Sequence, residues 1–357
     1  MSALTDIIRQ KIAEEGPISV ADYMALALGH PEFGYYRTHD PLGVRGDFIT
    51  APEISQVFGE MIGVWCAHVW QAMGAGPVSL VELGPGRGTL MNDLLRATKN
   101  VKGFHESLTI HMVETSPVLA NAQYMLLRHQ HPRIEWLDRI DQVPEQKMLL
   151  VANEFFDALP IKQFEMTVAG VCERRVAWSE EQGFHFVLGS VGLQLAKSGT
   201  TIPPGTVMEQ SPASRAVMRS ICQRLREHGG AALMIDYGYL GEAHHDTLQA
   251  VKAHHFHPVL KDPGEADLTA HVDFTSLATV ARDHGLHSMP LTTQGEFLNK
   301  MGAQVRAEML ISRAEGEQKE RIRQGVERLV SPQAMGELFK VLAVASLAGI
   351  ELPGFER

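Results

Sequence analysis

Between Val81 and Arg96 the chain reads VELGPGRGTLMNDLLR, placing Glu82, Gly84, Gly86 and Gly88 at alternate positions between an apolar run and a helix-like pattern. Glycine tolerates positive φ and lets backbone N–H groups come close to a ligand, so this turn, with Pro85 inside it, is a candidate binding loop. Three ligand classes use such turns, and the neighbouring residues separate them. A triphosphate loop ends in Gly-Lys-Ser/Thr, whereas Thr89 follows Gly88 directly. A dinucleotide fingerprint needs a glycine or alanine where Thr89 stands. The Glu82 carboxylate would repel a pyrophosphate and attract a cation. Glu114 ends the next apolar run, LTIHMVE, where its two oxygens can accept both hydroxyls of a ribose. The chemistry these residues suit is the binding of a cationic nucleoside.

From Pro77 onward apolar runs alternate with amphipathic ones, the pattern of a parallel sheet covered by helices. Strands are expected at VSLVELG, LTIHMVE, RIEWLD, Met148–Ala152 and AALMIDYG, with ELFKVLAVASL as a candidate final strand. Ser116 and Pro117 mark the start of one intervening helix, and Ser211 that of another. The expected fold class is α/β: a doubly wound, Rossmann-like sheet with a β-rich insertion and a helical N- and C-terminal lobe. Residues 1–75 should form N-terminal helices and a lid loop, 76–160 the cofactor-binding core, and 161–205 a hairpin or meander insertion. Residues 206–240 should continue the core, 241–330 form a helical substrate lobe, and 331–357 a last core strand and tail. The stretch HPEFGYYRTHDPLGVRGDFITAPEIS is too irregular for one element and long enough to be a lid. Behind it a helix over 54–73 should bury Val57, Met61, Val64, Trp65 and Val69 on one face.

Composition narrows the classes. A chain of 357 residues with 45% hydrophobic content can bury a large core. The net charge of −10 argues against a nucleic-acid partner and suits a cationic one. No run approaches the ~18 apolar residues of a membrane span, so no membrane insertion is expected. The opening MSALTDIIRQKIAEEG carries acids and lacks the Arg-rich transit pattern, from which a cytoplasmic chain is expected. Cys66, Cys172 and Cys222 have no CxxC spacing, and His244, His245, His254, His255 and His257 lack the HExxH pattern, so no metal is expected.

The spacing Glu82-x-Gly84-x-Gly86-x-Gly88 resembles that of S-adenosyl-L-methionine-dependent methyltransferases, whose cofactor carries a sulfonium and an ammonium. That cofactor is therefore expected, with Leu137 and Asp138 after the third strand near its adenine and Asn153 after the fourth facing its methionine end. Together with this turn, GDFITAPEIS, ANEFFDALP, ADLTAHVDF and TTQGEFLNKMG resemble the MidA family over roughly residues 5 to 350. The resemblance implies a methyltransferase core with insertions, and a role in assembly of respiratory complex I. It also implies activity on an arginine of the large hydrophilic quinone-site subunit of that complex, giving symmetric dimethylarginine. A protein partner follows, and a homodimer stays open.

An arginine acceptor stays protonated, with a pKa above ~12, and so brings positive charge beside the sulfonium. Carboxylates gripping the guanidinium in a fork can offset the repulsion and orient one nitrogen. NEFFD offers Glu154 to grip the acceptor, Asp157 to assist or support the loop, and Phe155 and Phe156 to wall the space. In the lid candidate, Asp47 joins the catalytic candidates, Phe48 can cover the cofactor, and Thr50 and Glu53 can bond to neighbours. Asp267 and His271 can line the acceptor channel. Alternatives stay open: Glu154 and Asp157 can cap the following turn, Asp47 and Thr50 the next helix, and Asp273 the helix after it. A methyltransferase for a small molecule or another nucleophile, and a non-enzymatic assembly factor that only binds the cofactor, stay open beside the arginine enzyme.

Overall fold

The computed structural model describes residues 2–39, 49–193, 202–241, 243–346, 350 and 352–355. The chain weaves through two compact units, one of residues 1–48, 157–216 and 240–273, the other of 49–156, 217–239 and 274–357.

The second unit is built on helix α1 (Gln56–Ala72), β1 (Val78–Leu83), α2 (Thr89–Thr98), β2 (Leu108–Val113), α3 (Pro117–Leu127), β3 (Ile134–Leu137), β4 (Met148–Asn153), β5 (Gly230–Tyr239) and β6 (Phe339–Ala345). All six expected strands form. β1 lies between β2 and β4, β3 flanks β2, and β5 flanks β4, every pair parallel. β6 then adds antiparallel to β5. The resulting order, β6-β5-β4-β1-β2-β3, reverses direction at the β1/β4 boundary. In open α/β sheets ligands bind beyond the carboxyl ends of the strands at such a switch point. Every residue of β1 and β4 is buried, as continuous apolar strands covered on both faces must be.

Two glycines set how closely the helices on one face approach. A Cβ on Gly59 of α1 would lie 2.7 Å from Asp93 Cβ of α2, and one on Gly63 would lie 3.0 Å from the Leu94 backbone. Val57, Met61, Trp65 and Val69 are buried as expected, but Val64 is 42% exposed. The buried face of α1 is centred on the pairs 57/58, 61/62, 65/66 and 69/70, which turns position 64 toward solvent. Buried Glu60, on the same helix, is held by Arg96 (2.6 Å) and Arg306 (2.6 Å).

The first unit is antiparallel. Gly170–Ser179 pairs with Lys162–Thr167, Gly183–Leu193 and Ile18–Ser19, and Val207–Gln210 pairs with Lys162–Thr167. Helices Ala3–Glu15 and Val20–Gly29 supply Leu4, Ile8, Tyr23 and Met24 to its core, which also holds Val176 and Leu268.

The boundaries differ from those expected in three places. The segment 1–75 divides near residue 48, because α1 packs on the parallel sheet's own helix. Val207–Gln210 extends the antiparallel sheet and is not parallel core. Residues 241–330 are not one helical lobe: Gln249–Lys252, His255–His257 and Asp267–Thr269 form a three-stranded sheet in the first unit, and the helices from Phe274 belong to the second. The hairpin went unread because Ala253 (φ 50°) and His254 (φ 62°) make its left-handed turn without the usual glycine or asparagine.

Candidate active site

The glycine turn leaves β1 and enters α2 with Gly84, Gly86 and Gly88 at φ 59°, 56° and 83°, all in the left-handed region that side chains other than glycine rarely adopt. The Gly88 N–H donates to Pro85 O (2.8 Å), closing the turn, and the Asn92 N–H donates to Gly88 O (3.0 Å), opening the helix. Gly84 also has a packing reason: a Cβ there would sit 3.0 Å from the Phe155 ring.

Acids stand at the carboxyl ends of the strands on either side of this turn. Glu82 points into the interior of the unit, 3% exposed, and its Oε2 has no hydrogen-bond partner. Burial, with the nearby Glu114 charge adding to it, pushes its carboxyl up to about 8. Glu114 follows β2, and its N–H donates to Leu137 O (2.9 Å). Its Oε1 accepts from the Ser116 N–H (2.7 Å) and its Oε2 from Gln123 Nε2 (3.2 Å). Burial raises the Glu114 carboxyl, and these two bonds moderate the rise. Asn153, at the end of β4, is buried and keeps an unpartnered Oδ1. A buried polar atom without a partner is costly, and two of them at a sheet's switch point mark where a ligand supplies the missing groups. Three glycines with left-handed backbones, a buried acid able to ionise against a cation, and a second acid placed for hydroxyls fit S-adenosyl-L-methionine.

Sequence reasoning missed Gln123, which is fully buried on α3. Its Nε2 donates to both Gly86 O (2.7 Å) and Glu114 Oε2, and its Oε1 accepts from Trp136 Nε1 (2.9 Å), so one amide ties the turn to the acid. Only its place on the inward face of α3 could have signalled it. Leu137 is half-buried at the end of β3, and exposed Asp138 donates its N–H to Gln142 Oε1 (2.9 Å).

The loop after β4 carries Glu154 at φ 48°, a left-handed backbone for a residue other than glycine. Its Oε1 accepts from the Ala51 N–H (3.0 Å) and from Asn153 Nδ2 (3.1 Å). The same loop binds Asp236, a second residue that sequence reasoning passed over: Oδ2 accepts from the N–H groups of Phe155 and Phe156. Phe155 lies against the glycine turn, whereas Phe156, expected to wall the acceptor space, is 2% exposed and part of the core. Glu53 receives a 2.5 Å hydrogen bond from Thr89 Oγ1 at the start of α2. Thr50 stands at the N-cap of Ala51–Ile54, but its side chain makes no capping bond. Asp47 and Phe48 lie outside the described residues.

Asp157, Asp267 and His271 belong to the first unit. There Tyr36 donates its hydroxyl to Asp267 Oδ1 (2.8 Å), the Ala270 N–H bonds Asp157 O (3.0 Å), and the His271 N–H bonds Thr247 Oγ1 (2.9 Å). Burial raises the Tyr36 phenol well above its usual range, and the Asp267 and Asp157 carboxylates add to the rise.

A family model described as S-adenosyl-L-methionine-dependent methyltransferase matches residues 61–292. The chain belongs to this methyltransferase family, and S-adenosyl-L-methionine is its cofactor. The family's curated relatives include the mitochondrial protein arginine methyltransferase NDUFAF7 homologue of Drosophila melanogaster, 38% identical over 96% of this chain and 84% of that protein. The mitochondrial protein arginine methyltransferase NDUFAF7 of Homo sapiens is 35% identical over 94% of this chain and 81% of that protein. A solved methyltransferase-family structure from Burkholderia thailandensis, bound to S-adenosylhomocysteine, superposes with a TM-score of 0.85 at 28% identity, covering 99% of this chain and 95% of that one. The two curated relatives are named as mitochondrial proteins, which overturns the cytoplasmic location expected here. That expectation rested on the acids of the opening residues, which do not determine compartment.

Proposed function

We propose that this methyltransferase acts on arginine side chains of a protein. The observation that carries the acceptor is the kinship, over 94% of this chain or more, with enzymes named as protein arginine methyltransferases. A further inference, resting on the MidA resemblance, makes that acceptor the quinone-site subunit of respiratory complex I and the product symmetric dimethylarginine.

When bound, the cofactor supplies an electrophilic methyl group. Glu82 holds positive charge in a buried site, Glu114 takes the ribose hydroxyls, and Gln123 keeps Glu114 and the glycine turn in register. Asn153 Oδ1 accepts from the methionine end. Glu154 grips the guanidinium, orients one nitrogen in line with the methyl group and draws charge away from it, while Phe155 excludes water on the turn side. Thr50 and Glu53 belong to the cover. Proton loss from the guanidinium accompanies or follows transfer.

The test is to incubate the protein with methyl-labelled cofactor and the host's quinone-site subunit, then map the label by mass spectrometry. Label on arginine is expected, as two methyl groups on different nitrogens. No label from a cofactor-bound protein would remove this acceptor, and label on another residue type would remove arginine.

A further inference from the structure

Asp236 closes the apolar run of β5 with a fully buried carboxylate. It accepts from three main-chain N–H groups: Phe155 (3.1 Å) and Phe156 (2.9 Å) at Oδ2, and Tyr237 (2.9 Å) at Oδ1. A carboxylate without hydration is costly, and charge-assisted bonds of this kind are what offset it. An apolar residue in the same space would leave these N–H groups without an acceptor, so the carboxylate is what holds the loop.

Immediately before the two phenylalanines, Glu154 stands in the left-handed region at φ 48°, a conformation that persists in a residue with a side chain only where its surroundings enforce it. Its N–H bonds Ile235 O (2.9 Å), one residue before Asp236. The loop is thus clamped to β5 at Glu154 itself and at the two residues after it, and the clamp fixes the direction in which the Glu154 carboxylate leaves the backbone. The same clamp sets Phe155, whose ring lies 3.0 Å from where a Gly84 Cβ would be.

We propose that Asp236 is a positioning residue for methyl transfer, locking Glu154 in its left-handed backbone and seating Phe155 on the cofactor turn. The rate consequence rests on the arginine-methylating role given to Glu154 above. The structural consequence does not.

Two double-variant cycles on the full chain test it. In the first, thermal unfolding is measured for Asp236→Asn, Glu154→Gly and the pair. Glycine adopts positive φ freely, so the Tm loss caused by Asp236→Asn is expected to shrink when residue 154 is glycine. An equal loss in both backgrounds overturns the proposal. Should Asp236→Asn fail to fold, the pair with Glu154→Gly is expected to fold, and its failure likewise counts against the idea. In the second cycle, single-turnover transfer of labelled methyl to the quinone-site subunit is followed at saturating cofactor. Asp236→Asn should slow it by about tenfold or more, yet add little to the loss in Glu154→Gln. Additive losses would mean that Asp236 does not act through Glu154. If the unsubstituted protein transfers no methyl group, the acceptor role fails and the stability cycle alone decides on Asp236.

Discussion

Glu82 sits buried with an unpartnered oxygen, where a cationic ligand would favour its ionised form. Its carboxyl is buried beside Glu114, and the ligand-free protein keeps a proton on it up to about pH 8. Because this folded-state value lies above that of the unfolded chain, its contribution to stability is present below the ordinary carboxylate range and is lost as pH rises through 8. A cation reverses the preference. Binding of S-adenosyl-L-methionine is therefore expected to release a proton and to tighten as pH rises from 6 to 8, by up to about tenfold per pH unit. Calorimetry in buffers of different ionisation enthalpy measures both, and Glu82→Gln should flatten the profile. A profile already flat in the unsubstituted protein would remove Glu82 from the cofactor's contacts. Gly86 is the companion test. At φ 56° it stands where a branched side chain is strained, and a valine would also fill the turn that a ligand must approach. Gly86→Val is expected to abolish cofactor binding with the fold retained, as judged by calorimetry and circular dichroism. The glycines and both acids were legible as residue types at a spacing. Gln123 and Asp236 were not, because a buried amide or carboxylate in an apolar run announces nothing until the partners of its polar atoms are known.

The elements were legible where periodicity was strong: the five parallel strands and antiparallel β6 of the main sheet, α2 behind the glycine turn, and α3 behind Ser116, whose hydroxyl accepts the Leu119 N–H. They were illegible where local chemistry departed from habit. The Ala253–His254 turn is one such place. α1 itself was legible, but its contact with α2 is governed by the small residues Gly59 and Gly63 as well as by its apolar stripe, and that closeness was not. Since a Cβ on Gly63 would press on the Leu94 backbone, which cannot rotate away, Gly63→Val is expected to force α1 from α2. Overpacking of this kind costs about 1–3 kcal/mol, readable as a lower urea midpoint at unchanged slope. No loss of stability would show that the two helices are not held at this separation.

For the molecule as a whole, the net charge of −10 and the proposed cationic acceptor bear on association. Screening weakens attraction between exposed charges, so KM for an arginine-bearing acceptor should rise with ionic strength while kcat stays nearly constant. Steady-state kinetics between low and physiological salt would show it, and a KM indifferent to salt would mean that long-range charge plays no part. By itself the sequence determined the α/β class, the sheet's strands and the ligand class of the turn, since these follow from periodicity and from residues within a few positions of one another. Only the tertiary structure decided that the strand order reverses between β1 and β4, that Glu82 Oε2 and Asn153 Oδ1 are buried without partners, and that Asp236 holds the Glu154 loop from about 80 residues away. Burial and pairing depend on groups that meet only when distant segments pack, and local patterns carry no record of those meetings.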